Sequence, residues 1–388
     1  MTCVNRRIFR GTPIFALAIF AALCGIVAQT SDARSGPIAP TVPAGFIIET
    51  IAHVPSPREL AVTSNGDLIV GTSGRSVAIV PDATGSPRPA TTFVTMPDRI
   101  AAGVALGAGS LYVGTYGGVW RMPYRTGDRV ARAAPERIAV ERPGGGRHHV
   151  TTSVAVGRET LYASVGSSCN ACIESDTTRA TIQEMDFDGS NLRIRATHIR
   201  NAIALAVDPA TDALWAGVAG QDELTAGHPY EVFDEVSAHP GTADYGWPGC
   251  YENHRPVDGK RDCSAQTVAR VALPAYETPI GAAFYVPGTG VHDFGERFRG
   301  GAFVALHGSW HTPRVEPRVV FVPMHRDEPT TAIDWNDPTK QWSTFVGGYQ
   351  HDDGSRVGRP TGIAFAADGS LFVADDLAGV IYRIRPKR

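Results

Sequence analysis

The chain has 388 residues, 43% of them hydrophobic and 19% charged, which is enough to bury a sizeable core. Its formal net charge of −3 excludes the broad basic surface by which proteins bind nucleic acid. Only three residues are lysines, so an anion-binding site would depend on arginine, histidine or backbone N–H groups.

The first 33 residues have the pattern of a cleaved signal peptide. Three arginines precede the apolar run Ile14–Ala28, and a small-x-small site follows at Ser31–Ala33. The arginines are Arg6, Arg7 and Arg10. The run is short for a transmembrane helix, and no later segment is apolar for long enough to span a bilayer. We therefore predict an exported protein, periplasmic or secreted, without stable membrane insertion; an uncleaved anchor is the alternative.

One sequence unit recurs along the chain: alternating apolar residues, a tight turn and a short apolar strand. Its copies read ELAVTSNGDLIVGT, AGVALGAGSLYVGT, TSVAVGRETLYASV, ALAVDPATDALWAGV and TGIAFAADGSLFVAD, and a sixth, stretched copy extends from GAAFYVPG to GGAFVALHG. The equivalent apolar residues are Leu68, Leu111, Leu161, Leu214, Phe303 and Leu371. Alternation at period two predicts half-buried antiparallel strands.

Most copies continue into a further strand, as in GGVWRM and GVIYRI, and amphipathic helical patterns are nearly absent. Six four-stranded units without helices predict an all-β fold, a six-bladed β-propeller. A propeller must close its ring, so GFIIETIA (45–52) is predicted to pair with the final GVIYRI strand. We predict a single propeller domain over residues 45–388, preceded by an arm over residues 34–44. A β-sandwich or a pair of smaller β domains is the alternative.

Four cysteines follow the predicted signal peptide: Cys169, Cys172, Cys250 and Cys263. In an exported protein this number indicates two disulfides, most simply the two local pairs. A four-cysteine zinc site is the competing interpretation, but twelve residues separate the second pair, and zinc ligands are usually closer. A redox role for the C-N-A-C segment would need a surrounding βαβ pattern, which the sequence lacks. We therefore predict structural disulfides.

Propellers bind ligands at one mouth of the central channel, in loops that join strands. The candidate loops are the insertions Arg142–His149, Ser167–Thr181, Gly220–Pro248 and His307–Arg318. His149 stands directly before the strand TSVAV, where a rigid element would support a side chain facing the channel. Taken alone, His148 and His149 in a glycine-rich loop are also typical of solvated surface polarity.

Five segments, in order, resemble the glucose/sorbosone dehydrogenase family. They are HHVTTSVAVGRETLYASVGSSCNAC, IRNAIALAV, DYGWPGCY, FVALHGSW and GRPTGIAFAADGSLFVADDLAGVIYRI, and the resemblance covers essentially the whole chain after the predicted signal peptide. It implies an exported six-bladed propeller that uses pyrroloquinoline quinone (PQQ) as a soluble aldose or L-sorbosone-type dehydrogenase. The implied partners are a small-molecule sugar substrate and an external electron acceptor, since no C-x-x-C-H haem motif is present.

The resemblance also assigns residues to the chemistry. Counting back from Gly157, the family's histidine base falls on His149 rather than His148. Arg200 and Asn201 match the family's Arg-Asn pair, which contacts the cofactor, and Arg200 would stabilise negative charge on the quinone as hydride arrives. A histidine suits the base because its ordinary pKa lies near neutrality.

Other matching positions concern PQQ itself. Arg359 in GRPTGIAF matches an arginine that binds a carboxylate of the cofactor, a group that guanidinium pairs in bidentate fashion. The cofactor-binding lysine of soluble glucose dehydrogenases has no counterpart here. His307, Trp310 or Arg314 is expected to substitute, with Trp310 offering a face for stacking on the quinone.

The family also holds a calcium ion against PQQ through backbone carbonyls, at positions that match Gly220 and Gln221. Calcium prefers such oxygen ligands and would act as a Lewis acid. The chain departs from the family pattern on both sides of this site. It reads HIRNAI where relatives usually read GLRNP, and HGSWHT where HGSWNR is commoner.

Two other functions remain open on the sequence. A calcium-dependent lactonase or other hydrolase would need carboxylates that converge on a metal in the channel, and its possible members are Glu59, Asp222, Asp375 and Asp376. A non-catalytic propeller that presents a surface to a protein or glycan is the other, because a fold alone does not determine function. The leading prediction is the PQQ-dependent sugar dehydrogenase, because the motif residues of that family occur together.

Overall fold

The computed structural model describes residues 39–140, 148–287, 290–311 and 314–387. The predicted signal peptide, residues 34–38 of the predicted arm and most of the loop Arg142–His149 lie outside these residues. Within the described ranges, no helix is long and apolar enough to cross a membrane. Their secondary structure is nearly all β, with three short 3₁₀ helices at Val236–Ala238, Glu296–Phe298 and Pro338–Gln341.

The strands of the first half are β1 (Phe46–His53), β2 (Pro57–Val62), β3 (Leu68–Thr72), β4 (Ser76–Val80), β5 (Thr91–Thr95), β6 (Gly103–Gly107), β7 (Ser110–Thr115), β8 (Gly118–Pro123), β9 (Glu136–Val140), β10 (Val154–Val156), β11 (Leu161–Val165), β12 (Thr181–Met185), β13 (Arg193–Thr197) and β14 (Ala202–Val207). Those of the second half are β15 (Leu214–Val218), β16 (Glu231–Glu235), β17 (Ala243–Asp244), β18 (Cys250–Tyr251), β19 (Arg255–Pro256), β20 (Val271–Leu273), β21 (Pro279–Phe284), β22 (Ala302–Leu306), β23 (Arg318–Val322), β24 (Met324–His325), β25 (Glu328–Pro329), β26 (Ser343–Val346), β27 (Pro360–Phe365), β28 (Leu371–Asp375) and β29 (Val380–Pro386).

Six sheets form the blades of a six-bladed β-propeller, as predicted. In chain order they are β2-β3-β4-β5, β6-β7-β8-β9, β10-β11-β12-β13, β14-β15-β16-β20, β21-β22-β23-β26 and β27-β28-β29-β1. The short strand β17 comes from the long insertion of blade four and adds, parallel to β13, to the edge of blade three. The hairpins β18–β19 and β24–β25 lie in the insertions of blades four and five. The sandwich alternative is therefore wrong.

Blade six closes the ring by combining the two ends of the domain. β1 pairs antiparallel with β29, from Phe46 opposite Pro386 to His53 opposite Val380. This confirms the predicted pairing of the segment 45–52 with the last strand. The predicted arm also contacts the propeller: Thr41 forms a β-bridge with Gly347, and Val42 packs against the aromatic core.

The repeated apolar residues form the core between consecutive blades. Leu68, Leu111, Leu161, Leu214, Phe303 and Leu371 all start or lie within the second strand of a blade, and all are fully buried. A buried side chain of this size stabilises the fold by about 1.5–3 kcal/mol. Between blades five and six the core is aromatic, and Phe46 from β1 packs edge-on against Phe294 and Phe345.

The first strands of the blades surround a central channel and approach one another closely. A Cβ on Gly103 would lie 2.4 Å from the Thr152 carbonyl oxygen of the next blade, and one on Gly281 would lie 2.2 Å from that of Thr361. Glycine is therefore needed at both positions. The channel holds a cavity of about 200 Å³, and Glu59 of β2 lies in its wall, where burial raises the pKa of the carboxyl to about 8.

All four described cysteines form the two local disulfides that the sequence predicts, Cys169–Cys172 and Cys250–Cys263. The zinc interpretation is wrong, because every one of these sulfurs is bonded to another sulfur. The first disulfide closes a short loop after β11, and the second closes the loop that contains β18 and β19.

Candidate active site

His149 lies just before blade three, with its backbone in the left-handed region at a φ of 44°. Its Nδ1 is 2.8 Å from the Ser167 hydroxyl and 3.2 Å from the Ser167 carbonyl oxygen. The hydroxyl donates its own proton to the Cys169 carbonyl at 2.7 Å, so both Ser167 atoms act as acceptors for His149. Nδ1 therefore carries the ring proton, and the lone pair of the neutral imidazole lies on Nε2. His148, its neighbour, is exposed.

Gly166, directly after β11, lets His149 and Asn201 approach the same point. A Cβ on Gly166 would lie 2.5 Å from His149 Cβ and 2.7 Å from Asn201 Oδ1, so both residues occupy the space beside it. The next residue, Ser167, donates its backbone N–H to the Arg200 carbonyl at 2.8 Å. The structure thus brings together three predicted residues, one from the entry to blade three and two from the entry to blade four.

Arg200 is only 5% exposed, and each of its three side-chain nitrogens has a partner. Nε donates to the Asn170 carbonyl at 3.1 Å, and Nη1 donates to the Ala219 carbonyl at 3.3 Å. Nη2 donates to Asn170 Oδ1 at 2.9 Å and to Asp222 Oδ2 at 2.8 Å. Burial lowers the pKa of Arg200, and the charges of Asp222 and Glu231 act in the opposite direction. The site therefore holds a buried guanidinium cation, and the hydrogen bonds at all three of its nitrogens fix its orientation.

The loop after β15 carries the two positions predicted to bind calcium. Within the described ranges, no backbone N–H donates a hydrogen bond to the carbonyl oxygen of Gly220 or Gln221. The Gly220 N–H binds the buried carboxyl of Glu231, and burial raises the pKa of that carboxyl to about 7. The carboxylate of Asp222 follows directly in the chain. Two carbonyl oxygens and a neighbouring carboxylate are a donor set that fits a calcium ion.

An aromatic stack borders Asp222. His311 Nε2 is 3.5 Å from Asp222 Oδ1, and the His311 ring lies between Trp310 and Tyr276, each with a centroid distance of 4.1 Å. Tyr276 is anchored by its hydroxyl, which donates to the His228 carbonyl at 2.8 Å. Trp310 is 69% exposed. Trp310 therefore lies at the edge of the site, with one face of its indole covered by His311.

Arg359 lies at the start of blade six and holds the loop that follows β22. Its Nε donates to the His307 carbonyl at 2.9 Å, and Nη2 donates to the Gly308 carbonyl at 3.0 Å. Burial lowers the pKa of Arg359 to about 10. His307 Nε2 is 3.0 Å from both carboxylate oxygens of Asp376, and Arg58 Nη1 is 3.1 Å from one of them.

Further arginines surround this loop. Arg356 donates to the Ser309 carbonyl at 2.6 Å and to the Val315 carbonyl at 2.9 Å. The positive charges of Arg356, Arg58 and Arg314 each lower the pKa of Arg359. The charges of Arg58 and Arg359 act on the carboxylate of Asp376, whereas those of Arg356 and Arg314 act on Arg359 without a carboxylate partner of their own among these contacts. The resulting excess of positive charge fits a ligand with several carboxylates, such as the predicted PQQ.

A continuous set of contacts joins the predicted residues. It leads from His149 through Ser167 to Arg200, then through Asp222 and His311 to the loop that Arg359 holds. Gly220 and Gln221 line the same pocket as Arg200. Arg314, one of the three expected lysine substitutes, is exposed, and its Nη1 lies 3.5 Å from the Gly354 carbonyl oxygen.

Sequence reasoning missed five residues of this set: Arg58, Ser167, Asn170, Tyr276 and His311. Asn170 carried a visible signal, because it lies in the candidate ligand loop Ser167–Thr181, but within that loop the sequence indicated only the disulfide. The others contact loops far away in the chain. For example, 318 positions separate Arg58 from Asp376. A single amino-acid sequence carries no signal for a contact between residues so far apart in the chain.

The carboxylates named for a hydrolase do not converge. Glu59 lines the central channel, Asp222 binds Arg200, and Asp376 binds Arg58 and His307. Asp375 accepts hydrogen bonds from the backbone N–H groups of Arg359, Leu377 and Ala378. In the part of the chain that the structure describes, one group of three potential metal ligands is close enough to share an ion: Cys169, Cys172 and Glu174. Its two sulfurs are already joined in a disulfide.

A sequence profile of the family described as TrAA12-like matches residues 40–257 and 252–387, which is most of the chain. The chain belongs to the TrAA12-like family. Among curated proteins, an uncharacterized protein of Borreliella burgdorferi is 24% identical over 229 residues, which are 58% of this chain. The match spans 56% of that relative's length.

Solved structures of other proteins share the fold of this TrAA12-like chain. The PQQ domain of a pyranose dehydrogenase from Coprinopsis cinerea superposes with a TM-score of 0.76 at 20% identity, covering 90% of this chain and 98% of that one. A family AA12 carbohydrate-active enzyme of Trichoderma reesei gives a TM-score of 0.73 at 20% identity, covering 90% and 98%. The soluble aldose sugar dehydrogenase of Escherichia coli gives 0.62 at 14% identity, covering 88% and 100%.

Proposed function

We propose that this TrAA12-like protein is a PQQ-dependent dehydrogenase that oxidises a sugar or a sugar-like alcohol or aldehyde. Electrons would then pass to an external acceptor. The observation that supports the proposal is the hydrogen bonding of His149: its Nδ1 donates to Ser167, so the lone pair of a neutral imidazole lies on Nε2, and the Ser167 N–H binds the carbonyl of Arg200. A base and a cation held together suit the removal of a proton from a hydroxyl next to a developing negative charge.

In this proposal His149 accepts the proton of the sugar hydroxyl at Nε2, and Ser167 keeps the ring oriented through Nδ1. Arg200 and Asn201 contact the cofactor, and Arg200 stabilises the negative charge that develops there. Bound PQQ supplies the hydride acceptor, and calcium at Gly220 and Gln221 supplies a Lewis acid. Each of these positions comes from a rigid strand end or from a loop tied to one.

The cationic cluster would hold PQQ. Arg359, with Arg58 and Arg356 nearby, offers guanidinium groups for the cofactor's carboxylates, and Trp310 offers a stacking face at the edge of the site. The PQQ domain of the Coprinopsis cinerea enzyme, which shares this fold, supports the choice of cofactor.

We also propose that the protein is exported, to the periplasm or the exterior. Two disulfides fit an oxidising compartment. The same proposal includes a signal peptide over residues 1–33, an arm over residues 34–44 and the propeller over residues 45–388.

Reconstitution tests the proposed function directly. The purified protein would be loaded with PQQ and Ca²⁺, and dye reduction would be followed over a panel of aldoses and sorbosone. PQQ binding would be measured separately by calorimetry. We expect PQQ binding and turnover of at least one sugar. The absence of both would refute the proposal.

The two adjacent histidines provide a matched pair of variants. His149→Ala should lower kcat by about 10²- to 10⁴-fold, the range expected for loss of a general base, while PQQ still binds. His148→Ala removes an exposed imidazole from the same loop and should leave kcat nearly unchanged. An equal loss in both variants would contradict the assignment of the base to His149.

A further inference from the structure

The loop closed by the Cys169–Cys172 disulfide contacts both halves of the candidate site. On one side, the Cys169 carbonyl accepts the proton of the Ser167 hydroxyl, which in turn binds His149 Nδ1. On the other side, Asn170 binds Arg200 and Asp222. The sequence predicts a structural disulfide here, within the candidate ligand loop Ser167–Thr181, but it assigns no role to Asn170.

Asn170 takes part in five hydrogen bonds. Its carbonyl oxygen accepts from Arg200 Nε at 3.1 Å and from the Trp247 indole N–H at 3.0 Å. Its side-chain Oδ1 accepts from Arg200 Nη2 at 2.9 Å and from the Asp222 backbone N–H at 2.8 Å. Its Nδ2 donates to the Asp222 backbone carbonyl at 3.1 Å. Both the oxygen and the nitrogen of the side-chain amide therefore form hydrogen bonds.

The side chain of Asn170 satisfies both backbone hydrogen-bonding groups of Asp222, as a neighbouring strand would in a sheet. Asp222 lies in an irregular loop, yet its N–H and its C=O both bind the one amide of Asn170. This bracing fixes the position from which the Asp222 carboxylate reaches Arg200 Nη2 at 2.8 Å. It also holds the loop directly after Gly220 and Gln221, the proposed calcium positions.

The contacts with Arg200 set the orientation of its guanidinium. Two of the three side-chain nitrogens of Arg200 bind Asn170, through different acceptor atoms at a fixed separation. A planar guanidinium held at two nitrogens cannot rotate about its axis without losing both bonds. Displacement of a catalytic group by about 1 Å can cost a factor of about 100 in rate.

We propose that Asn170 is a positioning residue: it holds Arg200 and Asp222 in the geometry that the oxidation requires, without touching the substrate. This inference rests on the proposed function, because it takes Arg200 to be the cation next to the reaction. Asn170 acts on two residues from one rigid loop, so its loss should affect the site more than the stability of the propeller.

The test uses two substitutions at this position and one control. Asn170→Ala removes three of the five hydrogen bonds, namely those of the side chain. Asn170→Asp keeps the acceptor oxygen for Arg200 and for the Asp222 N–H, but it replaces the donor to the Asp222 carbonyl with a second acceptor oxygen and adds a negative charge. Asn336→Ala changes an exposed asparagine in blade five and serves as the control.

The first measurement is amide hydrogen exchange of the full chain without cofactor. In Asn170→Ala, we expect faster exchange confined to the segment 219–223, since the Asp222 N–H loses its acceptor. Asn336→Ala should leave this segment as in the wild type. Unchanged exchange in Asn170→Ala would overturn the proposal. Faster exchange spread over all blades, with a lower Tm, would also overturn it, because Asn170 would then act on the fold.

The second measurement is steady-state kinetics of the protein loaded with PQQ and Ca²⁺. We expect Asn170→Ala to lower kcat by about 10- to 100-fold while the KM for the sugar changes by less than about threefold. Asn170→Asp should recover part of the loss. Wild-type kcat in Asn170→Ala would overturn the proposal. If the wild-type protein itself shows no turnover, the proposed function fails, whereas the exchange result still decides whether Asn170 holds Asp222.

Discussion

The polar cluster around Asp376 keeps a histidine neutral in a strongly positive environment. His307 Nε2 lies 3.0 Å from both Asp376 oxygens, and one of these oxygens also pairs with Arg58. Burial lowers the pKa of His307 to about 4, and the charges of Arg359 and Arg58 lower it further, against the influence of Asp376. A neutral imidazole therefore donates from Nε2 to the carboxylate, while the arginines supply the positive charge.

This pKa predicts a pH dependence of stability. As the pH falls below about 6.5, the ordinary value for histidine, His307 takes up a proton in the unfolded chain but stays neutral in the folded one down to about pH 4. The free energy of unfolding should therefore decrease between pH 6.5 and pH 4, by on the order of 3 kcal/mol from this group. Urea unfolding followed by tryptophan fluorescence across this range would measure it.

The variant His307→Gln keeps a donor to Asp376 but does not titrate, so it should flatten the pH dependence over the same range. His325→Gln, at an exposed position in the hairpin β24–β25, should retain the wild-type slope. Equal slopes for His307→Gln and the wild type would contradict a titrating, buried His307.

At the scale of the elements, the residue that follows β11 leaves the space in which the site residues pack. Gly166 follows this strand, and its missing side chain leaves the space that His149 and Asn201 occupy. The hypothetical Cβ would lie 2.7 Å from the backbone oxygen of His149, and a backbone atom cannot move away as easily as the end of a flexible side chain. The site therefore depends on a glycine that takes no part in the chemistry.

Gly166→Ala should displace His149 and lower kcat of the loaded protein by about 10- to 100-fold. The same overpacking should reduce the free energy of unfolding by about 1–3 kcal/mol. Gly157→Ala is the matched control on blade three, since its Cβ would come no closer than 3.2 Å to any neighbour. Wild-type kinetics in Gly166→Ala would show that His149 does not need this space.

The strands with the strongest apolar alternation could be predicted from the sequence, whereas the structure within the insertions could not. Each second strand, from Leu68 to Leu371, was found from its apolar repeat, because burial on a blade imposes that pattern. His149 was predicted from its place before a strand of the repeat together with the resemblance to the glucose/sorbosone dehydrogenase family, whereas Arg200 and Arg359 were predicted from that resemblance alone. β17 was missed: its two residues pair with β13 of another blade, and so short a strand has no period of its own. The contacts of Asn170 and His311 were missed for the same reason, since both join separate insertions.

At the scale of the whole molecule, one buried arginine links the closure of the ring to the first blade. Arg383 of β29 is 5% exposed, and its Nε donates to Glu49 of β1 at 2.7 Å. Its Nη1 lies within 3.0 Å of the carbonyl oxygens of Ala83, Thr84 and Gly85, in the loop between β4 and β5. Arg383 thus holds together the N-terminal strand, the C-terminal strand and the neighbouring blade.

Arg383→Ala should reduce the free energy of unfolding by about 3 kcal/mol, because it leaves the buried Ala83 carbonyl and two part-buried carbonyls without their donor and removes a partner of Glu49. Arg385→Ala is the control, since Arg385 lies on the same strand and contacts Glu49 at 3.1 Å but is more exposed, with 29% of its side chain accessible. We expect that substitution to cost less than about 1 kcal/mol, as for a surface ion pair. Urea unfolding compares the two. Equal costs would mean that the bonds from Arg383 to the loop of blade one contribute nothing to closure, and that the pairing of β1 with β29 alone holds the ring.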